Sequence, residues 1–281
     1  MKSLPFIVDS KTGLGHFKRL EEFFGVKNAV TFDSKRWGNM SPKYAINDNE
    51  KKEISGKDQV LATDYFDTDT LISVSTPLEP SLLHVTKETV KVLDYANQRS
   101  GDGFLEPIIT ANIVVLEVPD IEVVFAPADC AILYVVVNGF DGVLAMHIGA
   151  PQAVQDTHLK GVAFFRDILQ GDISMAEVFI TPHICPRHYL LSAERREHYI
   201  SISPKVIEYF ASQEDDLYGF DFISLVKEDL NTQFGITTFH ESELCTFEEA
   251  QNGNLFSHRL SSQQPDRYQE GRFNVAFSLS S

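Results

Sequence analysis

Two residues of metal-binding type stand near the ends of one stretch, FAPADCAILYVVVNGFDGVLAMHIGAP, running from Phe125 to Pro151: Cys130 and His147. The runs CAILYVVV and VLAMHIG flank the turn signal NGFDG, which is the pattern of a β-hairpin. If NGFD forms a four-residue loop, Val137 faces Gly142 and Cys130 lies opposite Gly149. His147 then shares a face with Cys130, one diagonal step away, roughly 7–8 Å between backbones. A three-residue loop would flip the faces. A thiol and an imidazole so placed could grip one ion. The plainer reading is a buried small hydrophobe and an ordinary strand residue.

A metal needs at least one further protein ligand, and the chain has nine His to draw on. His84 sits inside a strand-like run, where an imidazole needs a reason to be. His183 and His188 flank Cys185 in TPHICPRHY, an H-x-C-x-x-H cluster that could bind metal by itself. Two His and one Cys leave a coordination position open, the plan of a catalytic rather than a structural zinc. Blue copper uses the same set with a weak axial Met. Met146 adjoins His147, but neighbours on a strand point to opposite faces, so Met146 turns away from any ion that His147 holds. That favours zinc, with copper as the alternative.

The elements that must position these residues read as α+β, with mixed and antiparallel sheets layered with helices. The centre is β-rich: IIT, NIVVLEV, IEVVFAP, CAILYVVV and VLAMHIG are short runs dense in β-branched residues, separated by turn signals. Ahead of them, 14–26 has helical spacing, 29–44 reads as a strand leaving into a loop, and SLLHVTKETVKVLDY reads as a strand. After them, 156–171, 203–212 and 221–235 read as helices, 176–184 as a strand and 271–279 as a closing strand. Late helices after a strand-rich centre suit α+β rather than strict βαβ winding. No linker or repeat divides residues 1–281, so one domain is expected.

The bulk numbers bound the partners. A formal net charge of −16 opposes binding to nucleic acid or to an anionic membrane, both of which need a basic footprint. No apolar run reaches the length of a membrane span, and the start has no apolar signal region. Three widely spaced Cys argue against a disulfide framework and for a reducing, cytoplasmic setting. A small-molecule substrate is expected.

LLHVTKETV, GDGFL, APADCAILYV and AMHIG together resemble the YfiH-type, laccase-domain family, also called multicopper polyphenol oxidase-like, peptidoglycan-editing factor and purine nucleoside phosphorylase. The family pattern is a His in a Q-V-H-G-like strand, an A-D-G-L-like step, an A-D-C strand start and an H-A-G strand end. The closing order DFISLVKEDLNTQFGI, ELCT, LFSHR and GRFNVAFSL agrees, GNMS (38–41) resembles an early G-G-V-S turn, and TPHICPRHYLL resembles a G-P-x-I-x-x-x-x-Y segment. The likeness runs from about residue 30 to the end.

The resemblance implies zinc ligands at His84, Cys130 and His147. It also implies an enzyme of purine nucleosides: phosphorolysis, deamination of adenosine, or cleavage of methylthioadenosine. A zinc-bound water could attack C6 of adenine, and phosphorolysis needs cationic or amide donors for phosphate. Arg259 and Arg272 match family arginines and are reasonable anion holders in an acidic chain, with Ser41 in the early turn as a further substrate contact. Asp129, beside Cys130, is placed to orient a ligand His. The chain departs from the family where H-A-G-W-R-G becomes HIGAPQ, with Lys160 in HLKG as the residue that could return a cation. Q-V-H-G is reduced to LLHV, and the early G-D-D and N-R signatures are missing from YAINDNEKK. Two other readings stand beside the nucleoside enzyme: a copper-dependent phenol oxidase, and a non-catalytic or editing protein that binds nucleoside or cell-wall precursors in the same pocket.

Overall fold

The computed structural model describes residues 6–41, 47–68, 70–90, 108–213 and 216–281. Along the chain the strands are β1 (Phe6–Asp9), β2 (Leu14–Phe17), β3 (Val26–Thr31), β4 (Leu71–Ser75), β5 (Leu82–Val85), β6 (Ile108–Thr110), β7 (Ile113–Leu116) and β8 (Glu122–Phe125). They continue as β9 (Ala131–Val136), β10 (Val143–Ile148), β11 (Glu177–Ile180), β12 (Leu190–Ser192), β13 (Phe210–Ser212), β14 (Leu217–Phe220), β15 (Thr238–Glu241) and β16 (Val275–Leu279). One sheet has the order β1-β2-β3-β16-β8-β4-β6 and a second the order β15-β11-β9-β10-β7-β5, with β12-β14-β13 as a small third. Parallel pairs (β4 with β6 and β8, β5 with β7, β11 with β15) stand among antiparallel ones, so both large sheets are mixed. This is the α+β class expected.

The period-2 alternation of the central strands decides what each face covers. On β9, Ile132, Tyr134 and Val136 face the other large sheet, where they meet Ile72, Val123, Phe125 and Phe277. Ala131, Leu133 and Val135 face the opposite way, onto the helices Thr157–Leu169 and Phe222–Phe234. The outer face of the seven-stranded sheet is closed by Trp37, Met40, Leu61 and Phe66, around the helix Asp48–Val60. Helix, sheet, sheet and helix therefore stack in four layers. Each large apolar side chain fully buried between them contributes about 1.5–3 kcal/mol.

Local expectations met tertiary pairing with mixed results. In 14–26 only Lys18–Phe24 is helical, because Leu14–Phe17 is taken up as β2 by pairing with Phe6–Asp9. The strand read over SLLHVTKETVKVLDY ends at Val85. There Thr86 starts a turn, its hydroxyl accepting the Thr89 N–H and its carbonyl the Val90 N–H. The helix read over 203–212 is a 3₁₀ turn, Pro204–Tyr209, running into β13. The GDGFL step at 101–105 lies outside the described residues. Among the described residues no helix is long and apolar enough to cross a membrane.

Candidate functional site

The β9–β10 hairpin has the register of a four-residue loop: Leu144 pairs with Val135 and His147 with Ile132, which continues to Gly149 opposite Cys130. His147 therefore points between the two large sheets, on the side of Ile132. Met146 turns to the helical layer, its sulfur against Gly161. At the end of the hairpin the packing is tight. A Cβ on Gly149 would lie 2.6 Å from the Cys130 sulfur and 3.0 Å from Gln152 Oε1, so only glycine leaves room for the thiol.

Cys130 and His147 both line a cleft of about 410 Å³ at the end of the sandwich. Its other walls bring Ser73, Ser75 and Thr76 from the exit of β4, Ser41 from the GNMS turn, Asp58, and Arg272 with Asn274 from the approach to β16. Gly38 makes that turn possible with φ at 68°, a left-handed conformation that favours glycine. Asn39 then ties it to the far wall: its Oδ1 accepts the N–H groups of Ser41 and Arg272, each at 3.1 Å, and its Nδ2 donates to the Ser41 carbonyl. A second cavity of about 730 Å³ shares Ala128, Cys130 and His258 with the first and adds Tyr189, Tyr199, Arg195 and Arg259. Cys130 thus stands on the partition between two recesses.

Burial sets the protonation of the pair. It pushes the Cys130 thiol up to about 12, with the Asp129 charge adding to the effect. It also pulls His147 down to about 4. At neutral pH both are uncharged hydrogen-bonding groups, and the buried His147 Nδ1 has no hydrogen-bond partner among the described residues. Charge in the cleft comes from elsewhere. The Arg272 guanidinium donates to Glu270 and to the Gly271 carbonyl, and Glu270 also meets His258 Nδ1 at 3.1 Å.

Three residues expected at the site lie elsewhere or act otherwise. His84 does not join Cys130 and His147. It pairs across β7 with Val115, which pairs with Leu144, and Leu144 and His147 are three residues apart on one strand, hence on opposite faces. There His84 Nε2 meets Glu117 Oε1 at 2.6 Å and its ring packs edge-on against Phe164. Lys160 lies on the helical layer, its Nζ donating to the Gln155 carbonyl, and lines a separate surface recess with Arg166 and Phe234. Asp129 orients no imidazole. Its carboxylate accepts the Thr246 hydroxyl and the Arg259 N–H, both at 2.7 Å, so it staples the start of β9 to the first turn of helix His258–Gln263. Burial raises its pKa, against the pull of those bonds. Arg259 borders the larger cavity with its guanidinium 5.1 Å above the Tyr189 ring, a cation–π contact.

The three-ligand zinc set is therefore not assembled. Cys130 and His147 offer one sulfur and one nitrogen, and among the described residues neither belongs to a group of three or more His, Cys, Asp or Glu whose ligand atoms all lie within 4.8 Å of one another. His258, for which the sequence suggests no role, is the other imidazole on the cleft; it stands beside Arg259 in FSHR. Asn112 and Gln152 were also missed. Both donate to the Pro77 carbonyl, at 3.0 and 3.1 Å, and so fix the loop leaving β4 against the cleft. The HIGAPQ departure thus supplies a loop anchor, Gln152.

Comparison with known proteins agrees with the fold. Residues 62–279 match the family described as multi-copper polyphenol oxidoreductase laccase. YlmD of Geobacillus stearothermophilus superposes with a TM-score of 0.76 at 17% identity, covering 98% of this chain and 99% of that one. The hypothetical protein YfiH of Bacillus licheniformis gives 0.75 at 16%, with the same coverage of 98% and 99%. A Neisseria meningitidis protein of the DUF152 family gives 0.68 at 13%, covering 92% and 95%. No curated protein sequence matches the chain.

Proposed function

Because the chain belongs to the multi-copper polyphenol oxidoreductase laccase family, we propose that it is a purine nucleoside enzyme working in the Cys130–His147 cleft, by phosphorolysis of adenosine, inosine or methylthioadenosine or by deamination of adenosine. The observation that carries the reading is the meeting of Cys130, His147 and Arg272 on one cleft, brought there by the β9–β10 hairpin and by the approach to β16.

The chemistry follows from what lines the walls. In phosphorolysis a phosphate oxygen bonds to C1′ as the C1′–N9 bond breaks, and the base leaves with the electron pair and must take up a proton. Arg272 is the cation on the cleft suited to the phosphate, as a fork-shaped donor. The hydroxyls of Ser41, Ser73, Ser75 and Thr76 match the donor and acceptor pattern of ribose. The uncharged Cys130 thiol and His147 imidazole suit a neutral purine edge, to which His147 Nδ1 offers an unused hydrogen-bonding position. With two donors in place of three, no step is assigned to a metal here. The copper oxidase reading is the weaker for the same reason, since a copper cluster needs more imidazoles than the cleft holds.

Two observations favour a second reading, in which the cleft binds a nucleoside or a cell-wall precursor without turning it over. His84 is on the far face of the sheet, and Lys160 returns no cation. Incubation with adenosine, with and without phosphate, resolving adenine, inosine and hypoxanthine, separates the two. Phosphate-dependent free base, or inosine, supports the enzyme. Saturable adenosine binding without product supports the second reading, and neither binding nor product overturns both.

A further inference from the structure

The H-x-C-x-x-H cluster read from TPHICPRHY is not what the fold builds. His183 turns aside, its Nδ1 3.0 Å from the Thr181 carbonyl and its Nε2 3.6 Å from Glu241. In its place, 60 residues downstream, Cys245 and Glu248 come against Cys185 and His188. We propose that Cys185, His188, Cys245 and Glu248 form a four-coordinate zinc site, separate from the cleft and structural in role.

The four side chains converge at the separations of a tetrahedral coordination shell. His188 Nδ1 lies 3.3 Å from the Cys185 sulfur, 3.4 Å from the Cys245 sulfur and 3.7 Å from Glu248 Oε1. All four ligand atoms lie within 4.8 Å of one another. Zinc–sulfur bonds of about 2.3 Å and zinc–nitrogen or –oxygen bonds of about 2.0–2.2 Å put tetrahedral edges at roughly 3.4–3.8 Å. Hydrogen bonding does not explain the convergence. A single imidazole nitrogen carries one proton or one lone pair, so it serves one of the three groups facing it. A cation serves all four.

The ligands come in two pairs of equal spacing, Cys-Pro-Arg-His and Cys-Thr-Phe-Glu, the two-residue interval with which one turn presents two ligands to one ion. Each pair is held by its backbone. Cys185 closes its turn by accepting the N–H groups of His188 and Tyr189, and Cys245 begins the helix Thr246–Gln251. The pairs are tied together by the Thr246 N–H on the His183 carbonyl and by the Cys185 N–H on the Cys245 sulfur. The His188 ring is stacked on Phe247 at 4.4 Å and 7°, which fixes its orientation. Two thiolates and a carboxylate would leave one negative charge around a dication, and Arg187, 3.0 Å from Glu248, balances it. Two soft sulfurs with one nitrogen and one oxygen select zinc over magnesium or calcium, and four protein ligands leave no open position. Bound there, zinc would clip the segment carrying Ile184 and Tyr189, two walls of the larger cavity, to the helix behind it.

The test uses the full chain stripped with a chelator and titrated with cobalt(II), whose thiolate charge-transfer and intense tetrahedral d–d bands report sulfur ligation directly. The expected result is one equivalent with both band sets, displaced by zinc, unchanged in Cys130→Ala and lost in Cys185→Ser and in His188→Gln. Both of those positions are partly exposed, so the variants do not depend on disturbing the buried Cys245. In the unaltered chain, zinc should slow alkylation of Cys185 and Cys245 and leave Cys130 unchanged, as read by peptide mass spectrometry. Cobalt binding without thiolate bands, bands that vanish in Cys130→Ala but persist in Cys185→Ser, or a Cys185–Cys245 disulfide in unreduced protein would each overturn the proposal.

Discussion

The molecule has two places where cysteine meets histidine, and they are built on opposite plans. Cys130, just ahead of β9, and His147, on β10, share one face of the hairpin a diagonal step apart, with apolar core on one side and an open cleft on the other. Cys185, His188, Cys245 and Glu248 lie on turns and a helix start, knotted together by backbone bonds, with every donor aimed inward. A strand spaces its same-face side chains widely and can present a thiol and an imidazole to a ligand without saturating either. A turn packs donors a few ångströms apart and saturates whatever sits among them. The first plan suits a substrate and the second a structural ion, although the pairs draw on the same residue types.

That comparison can be broken by pH. The folded His147 takes a proton only near pH 4, against 6.5 for the free imidazole. The unfolded chain therefore binds a proton that the folded one refuses, so stability is full above 6.5 and falls as pH drops towards 4. The loss should reach about 3 kcal/mol from this group, given about 1.4 kcal/mol per pKa unit. Urea unfolding of the unaltered chain and of His147→Gln across that window should show a slope that the variant flattens. An equal slope in both would mean that His147 is not buried as described.

Metal sharpens the same contrast. Zinc at a hundredfold excess over its dissociation constant should stabilise the unaltered chain by about 2.7 kcal/mol. Thermal unfolding should show that gain in Cys130→Ala and not in His188→Gln. Gly149→Ala should cost about 1–3 kcal/mol as an overpacked site, because its methyl would meet the Cys130 sulfur at 2.6 Å. Its chemical denaturation midpoint should fall while zinc stabilisation is kept. The smallest effect is expected at Lys160, where alanine should change stability by less than about 0.5 kcal/mol and leave turnover alone, since the ammonium donates to the Gln155 carbonyl, away from the cleft.

The cleft was more legible in the sequence than the knot, for physical reasons. A hairpin is a local structure, so NGFDG between two apolar runs marks it, and the four-residue loop, one of the two loop lengths the sequence allows, puts Cys130 and His147 on one face and Met146 on the other. His84, which the family resemblance implies as the third ligand, is set on the other face because its strand pairs in parallel with β7, and nothing local in SLLHV encodes that register. Cys245 reaches Cys185 through a bridge between His183 and Cys245, a contact across some sixty residues that spacing within TPHICPRHY cannot report. Asp129 looked like an orienting acid because it adjoins Cys130. Its φ of 77° swings the chain so that the carboxylate serves Thr246 and the Arg259 N–H instead. The 3₁₀ turn at Pro204–Tyr209 shows tertiary context overriding helical propensity in a short segment.

The most direct test of the account is turnover of adenosine in the presence of phosphate by three proteins matched for folded content: the unaltered chain, Cys130→Ala and Cys185→Ser. Product formed by the unaltered chain, reduced about tenfold in Cys130→Ala, as for loss of one hydrogen bond to the purine edge, and retained in Cys185→Ser is the predicted result. Product undiminished in Cys130→Ala, or lost only in Cys185→Ser, would contradict the assignment of the cleft as the reacting site.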